Sequence, residues 1–141
     1  MSLIRGISGI RGIVGQTLSD KVISLHSMAF NKIQPVGKIL VARDSRYHGE
    51  DLSNIAIKSL LDMGRDVVDC GIVPTPTAQF MIEKHGYAGG IVVTASHNPE
   101  VWNGMKFIDY DGCFLGSEKN NQLFSIADEN TFQIPTIGKL E

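Results

Sequence analysis

The 141 residues carry a formal charge of −2, with 43% hydrophobic and 20% charged residues, enough apolar mass for one self-sufficient core. That balance advertises no basic surface for nucleic acid and no acidic tail, and the apolar runs are too short to span a bilayer. Cys70 and Cys113 follow no metal or disulfide spacing, and no cleavable leader opens the chain, so the expectation is a soluble cytoplasmic protein with idle thiols.

The start, "LIRGISGIRGIVG", spaces glycines at 6, 9, 12 and 15 between Ile and Val. Four such steps without proline are too few for a triple helix, and an extended segment broken by a flexible loop is expected. Ser19 is placed to cap a helix with Val22, Leu25, Ala29 and Ile33 on one face, ended by Pro35 and Gly37. "KILVA" reads as a short buried strand and "RDSRYHGED" as a polar loop. From Asp51, the residues Leu52, Ile55, Ala56, Leu60 and Met63 fall at helical spacing, and Gly64 stops that helix. "DVVDCG" is a second buried strand. "VPTPTAQFMIEKHG" reads as a turn into a helix, with Thr75 as cap, Pro76 at the first helical position and Gly86 as terminator. "GGIVVTA" is a third strand. "GMKFIDYDGCFL" has the look of a hairpin turning at Asp111-Gly112. Ser117 opens a last helix through Leu123, Ile126 and Ala127, and beyond Asn130 the pattern is lost.

Strands alternating with helices predict βαβ units and a mostly parallel sheet covered on both faces. Ligands of such sheets sit beyond the C-terminal ends of the strands. Three polar segments leave strand ends: "RDSR" at 43–46, "GIVPTP" at 71–76 and "TASHNP" at 94–99. Ser96 therefore belongs to the rim where chemistry is expected. Serine hydrolysis fits poorly. Ser96 and His97 are adjacent, so their side chains diverge; there is no G-x-S-x-G turn; and His26, His48 and His85 give no sign of reaching the rim. Phosphate chemistry fits better. Arg11, Arg43, Arg46 and Lys106 all fall on or near rim loops, where guanidinium and ammonium groups can hold phosphate oxygens. A serine in that field could carry a phosphoryl group. The plain alternative for Arg43 and Arg46 is a solvated surface charge.

"TASHNP" followed by "NGMK" resembles the active-site loop of the α-D-phosphohexomutases, the superfamily of phosphoglucomutase, phosphomannomutase and phosphoglucosamine mutase. "SGIRG" at 8–12, "ARDSR" at 42–46 and "GIVPTP" at 71–76 resemble three more motifs of their first domain, in the same order. The resemblance implies that residues 1–141 form a three-layer α/β/α domain with a mostly parallel, mixed sheet, the first of four domains. It implies that Ser96 is the serine phosphorylated in the active enzyme. Lys106 and Arg11 then match the residues beside it that move a proton or stabilise charge. His97, Asn98 and Ser8 match residues that shape the phosphate loop. It further implies a catalytic Mg²⁺ held partly by the Ser96 phosphate, with the remaining ligands in the second domain. The implied partners are a sugar phosphate, a hexose bisphosphate and the three other domains of the parent, with no nucleic acid and no membrane. The D-x-D-x-R metal loop, the sugar loop and the fourth domain lie outside these residues, so the chain alone is expected to be inactive. The motif departs from the common pattern where Arg5 and Ile7 stand for Phe and Thr around Gly6, and where Val101-Trp102 precedes Asn103. Two other readings stay open: a stand-alone phosphoacceptor module without turnover and, more weakly, a hydrolase using Ser96.

Overall fold

In the computed structural model, which describes residues 3–95, 98–129 and 138–141, ten elements follow one another. They are β1 (Ile4–Gly6), β2 (Gly9–Ile13), α1 (Asp20–Ile33), β3 (Ile39–Arg43), α2 (Gly49–Asp62), β4 (Val67–Ile72), α3 (Thr75–His85), β5 (Gly89–Val93), β6 (Trp102–Ile108) and α4 (Ser117–Glu129). The six strands form one sheet in the order β1-β2-β6-β5-β3-β4. It is the mixed sheet of an α/β domain, as the sequence predicts. The parallel part is smaller than expected: only β4-β3-β5 pair in parallel, while β5-β6, β6-β2 and β2-β1 are antiparallel. The reason lies in the connections. Helices α2 and α3 carry the chain back across the sheet between β3, β4 and β5, whereas β5 returns as β6 through a short loop, and a short loop permits only antiparallel pairing.

Strand alternation divides the core. Ile39, Val41, Ile91, Val93, Met105 and Phe107 point to one face, where Ile23 and Phe30 of α1, Leu60 of α2 and Leu123 of α4 meet them. Leu40, Ala42, Val92 and Ile108 point to the other, where Ala78 and Ile82 of α3 cover them. The result is three layers, with three helices on one side and α3 on the other.

The helix signals hold with local corrections. Ser19 caps α1, its hydroxyl accepting from the Val22 N–H at 3.3 Å. The buried residues of α1 are Ile23, His26, Ser27, Ala29 and Phe30; of the expected face Ala29 is fully buried, while Val22, Leu25 and Ile33 pack only partly against the core. α1 is flanked by α2 and α4, so the expected face is partly side wall, and Ile23 and Phe30, each one position beyond an expected residue, reach the floor beside Ala29. α3 starts a residue early. Pro74 is its cap, because its carbonyl accepts the first helical hydrogen bond from Ala78 N–H at 3.2 Å, and Thr75 and Pro76 follow inside the helix. The expected hairpin is present but short: Gly112 N–H donates to Asp109 O at 3.0 Å in the turn, and the return limb pairs by Asp109 N–H to Cys113 O at 2.7 Å, Leu115 N–H to Phe107 O at 3.2 Å and one antiparallel bridge from Phe114 to Ile108. β6 itself lies inside the sheet between β2 and β5. The segment beyond Asn130 lies outside the described residues until Gly138. No helix among the described residues is long and apolar enough to cross a membrane.

Candidate functional site

Register assembles the site. Ile10, Met105 and Val93 form a buried row across β2, β6 and β5 and face the three-helix layer. The rows on either side must point the opposite way. One holds Arg11, Gly104 and Thr94; the other holds Lys106 opposite Val92, with Gly9 alongside. On that face α3 packs mainly on β5 and β3, which leaves β2 and β6 open. There a pocket of about 100 Å³ is lined by Ser8, Gly9, Arg11, Thr94, Ala95 and Lys106, with Ile4, Gly6 and Ile10. Two glycines let the strands close up. A Cβ on Gly104 would stand 2.1 Å from Ile10 O, and one on Gly9, whose φ is +121°, 2.0 Å from Met105 O. This close approach brings Arg11 and Lys106 onto one pocket.

The lining holds two cations and no carboxylate among the described residues. Among the described residues neither Arg11 nor Lys106 belongs to an ion pair. Arg11 Nη1 donates to Asn98 Oδ1 at 3.2 Å. Lys106 Nζ stands 5.6 Å from the Phe114 ring centroid, a cation–π approach that orients the ammonium without neutralising it. Lys106 is thus a half-buried residue within the sheet, not a hairpin lysine in water. Ser8 is exposed. Ser96 and His97 lie outside the described residues. Their neighbours do not: Ala95 lines the pocket, and Asn98 bonds to Arg11 and donates its N–H to Ala95 O at 3.1 Å. The arrangement suits a small anion. Its volume is well below the roughly 300–1,000 Å³ of a small-molecule site, so it matches a phosphoryl group better than a whole sugar phosphate. The pocket also reaches further than a strand-end rim, running from the end of β5 onto the open face of β2 and β6.

The four expected cations separate. Arg43 and Arg46 do not line this pocket. Arg46 is neither a solvated charge nor a pocket group: its guanidinium bonds to main-chain carbonyls of residues 98, 99 and 102. The Arg43 side chain makes a long contact of 3.5 Å to Asp44 O. The histidines other than His97 are not placed for hydrolysis. None lines the pocket. His26 has both ring nitrogens occupied, Nδ1–H on Val22 O at 2.7 Å and Nε2 accepting from Arg5 Nε at 3.2 Å. Burial holds its pKa down to about 4, with the Arg5 charge adding to the effect. His48 pairs with Glu100 O and with the Asn103 amide, both at 2.9 Å. Sequence reasoning gave no role to His48 and Asn103; their carbonyl and amide partners leave no trace in a linear pattern.

Acidic groups are dispersed. Asp44 accepts from the Thr94 hydroxyl at 2.7 Å, and Asp111 from Cys113 N–H at 3.0 Å. Burial alone would raise the Asp109 pKa, but hydrogen bonds from Gln34 and Lys119 hold it below the usual carboxylate range. Among the described residues no three His, Cys, Asp or Glu side chains gather as metal ligands. A pocket lined by cations without a carboxylate does not by itself fit Mg²⁺, which requires one or two carboxylates plus phosphate oxygens.

The class so defined is a three-layer α/β/α protein whose uncovered sheet face carries a small cationic pocket. Residues 2–134 match the model of the phosphoglucomutase/phosphomannomutase α/β/α domain I, and the chain belongs to that family. It is 40% identical over 124 residues to a phosphoglucosamine/phosphogalactosamine mutase of Sulfurisphaera tokodaii, a match covering 87% of this chain and 27% of that protein. It is 33% identical to a phosphoglucosamine mutase of Levilactobacillus brevis, covering 92% and 31%. Among solved structures it superposes on a putative phosphomannomutase from Thermus thermophilus with a TM-score of 0.87 at 26% identity, over 100% of this chain and 34% of that one. A phosphoglucomutase/phosphomannomutase family protein from Burkholderia thailandensis gives 0.85 at 32% identity, over 98% and 32%. The chain thus spans about a quarter to a third of the length of these relatives.

Proposed function

We propose that this chain is the phosphoryl-carrying first domain of a phosphohexomutase, and that Ser96 is the carrier. The observation that supports this most directly is the pocket itself: Arg11, Lys106 and the residue preceding Ser96 converge on a cavity with no carboxylate. In the proposed cycle, phosphoserine 96 meets a sugar monophosphate. The bond from Ser96 Oγ to phosphorus breaks as a sugar hydroxyl oxygen bonds to that phosphorus, and the hydroxyl proton is transferred to the serine oxygen. The bisphosphate turns around, and its other phosphoryl group returns to Ser96, leaving the isomeric monophosphate. Transfer of this kind asks for in-line positioning and for charge held around the moving group. Arg11 and Lys106 supply fixed positive charge at that point, and Lys106 is the candidate to hold the proton in transit. Asn98 orients Arg11 through its amide oxygen. Mg²⁺, when bound in the parent enzyme, adds charge stabilisation.

The relatives named phosphoglucosamine mutase favour a hexosamine phosphate as substrate, with mannose or glucose phosphate the second reading, from the names of the solved neighbours. The proposed enzyme is cytoplasmic. The test is a turnover panel on the full-length protein with glucosamine, mannose and glucose 1-phosphates, each primed with its bisphosphate. The expected result is fastest conversion of the hexosamine and no turnover by residues 1–141 alone. Turnover of none of the three by the full-length protein would favour the phosphoacceptor module. Interconversion by residues 1–141 above a Ser96→Ala control would show that the domain needs no partner.

A further inference from the structure

We propose that Arg46 is a positioning residue for Ser96: it ties together the two limbs of the loop that carries the serine, and does not itself bind phosphate. The inference rests on the reading of Ser96 as phosphoryl carrier. The loop leaves β5 at Thr94 and re-enters the sheet at Trp102. On the outgoing limb, Asp44 N–H donates to Val93 O at 3.1 Å, and the Thr94 hydroxyl donates to Asp44 Oδ2 at 2.7 Å. Asp44 in turn accepts from the Arg46 main-chain N–H at 3.1 Å and pairs with Arg46 Nε at 3.5 Å. On the return limb, Arg46 Nη2 donates to Asn98 O at 2.6 Å, and Nη1 donates to Pro99 O at 2.7 Å and Trp102 O at 3.0 Å. One guanidinium therefore spans both limbs, and its side chain is only 10% exposed.

The chemistry selects arginine. A rigid planar fork can meet a carboxylate on one side and three carbonyls on the other; a lysine ammonium has three donors on a single point and cannot cover that span. The Asp44 carboxylate and the three carbonyls engage four of its five N–H donors, so a phosphate meeting this guanidinium as a two-pronged fork would displace contacts that hold the loop. Such a device matters because transfer tolerates little error: a displacement of about 1 Å at a reacting group costs on the order of a hundredfold in rate.

The experiment uses the full-length enzyme with Arg46→Lys and Arg46→Gln, reading amide hydrogen exchange over 94–101 by mass spectrometry together with kcat and KM. Both variants are expected to exchange the Asn98 amide at least about tenfold faster, with α1 and α3 unchanged, and to lose about a hundredfold in kcat with little change in KM. Near-wild-type kcat in Arg46→Lys with a raised KM in Arg46→Gln would make Arg46 a phosphate cation and overturn the proposal. Unchanged loop exchange in both variants would overturn it as well. Should neither variant fold, Thr94→Val cuts the outgoing limb and leaves the guanidinium in place; faster loop exchange is expected, and exchange like wild type would count against the proposal. Phosphoryl label found away from Ser96 in the wild-type enzyme would overturn the phosphoserine reading, and with it any positioning of Ser96, whatever the exchange data show.

Discussion

Lys106 and Arg11 share a pocket because β2 and β6 run close together, and each carries charge that no carboxylate in the lining offsets. Loss of one preorganised donor at a centre of changing charge costs on the order of 10²–10³ in turnover. In the full-length enzyme, Lys106→Ala and Arg11→Ala should each slow kcat at least about a hundredfold while shifting stability by roughly 1 kcal/mol or less. Near-normal turnover in Lys106→Ala would remove it from the mechanism. His26 provides a second test at this scale. It is buried and neutral, gripped by Arg5, which also pairs with Asp128 at 2.8 Å. Its folded pKa of about 4 lies below the ordinary 6.5, so its contribution is complete above pH 6.5 and is lost as pH falls toward 4. The effect is at most about 3 kcal/mol. The depressed carboxylates Asp109 and Asp128 lose their contributions at lower pH, as it falls through and below the usual carboxylate range. Unfolding midpoints measured from pH 7 to 4 should therefore fall more steeply for wild type than for His26→Gln; parallel profiles would contradict this reading. Although Lys106 was expected on a rim loop and stands in β6, its nearness to Arg11 was legible in the sequence. The division of labour among the four cations was not, because the targets of Arg46 are main-chain carbonyls about fifty residues away.

At the scale of elements, capping and termination signals read well because they act within a few residues: Ser19 caps α1, and Gly86 closes α3. The buried face of α1 was legible only in part: Ala29 lies in the core as expected, while Val22, Leu25 and Ile33 sit at its margin because neighbouring helices absorb apolar side walls, which periodicity alone cannot tell from a floor. β6 was legible as a hairpin arm but not as an inner strand of the sheet, since the pairing of β2 with β6 joins residues about ninety apart in sequence. That pairing leaves a mark only in retrospect, as the glycine of N-G-x-K. Gly104→Ala would push a methyl group onto the Ile10 carbonyl, and over-packing of this kind costs about 1–3 kcal/mol. A denaturant midpoint lowered accordingly, with activity falling as β2 and β6 separate, is the expected outcome. Wild-type stability in Gly104→Ala would show that the strands have room to spare.

For the whole molecule, alternating apolar strands and amphipathic helices were enough to predict an α/β domain, because each element must bury one face. The strand order and the antiparallel half of the sheet were not legible, being set by loop length and long-range pairing. The antiparallel half is also what makes the site. It extends the sheet past α3, and the pocket opens on the uncovered face. A pocket of about 100 Å³ with two cations is well below the roughly 300–1,000 Å³ of a small-molecule site, in keeping with the proposed phosphoryl group. The central claim is that this pocket serves a phosphoryl group on Ser96. The most direct measurement is intact-mass and peptide mapping of the full-length enzyme after incubation with a hexose or hexosamine bisphosphate. The account predicts one phosphoryl group on the peptide containing Ser96, absent in Ser96→Ala. Label on any other residue, or label that survives in Ser96→Ala, would contradict it.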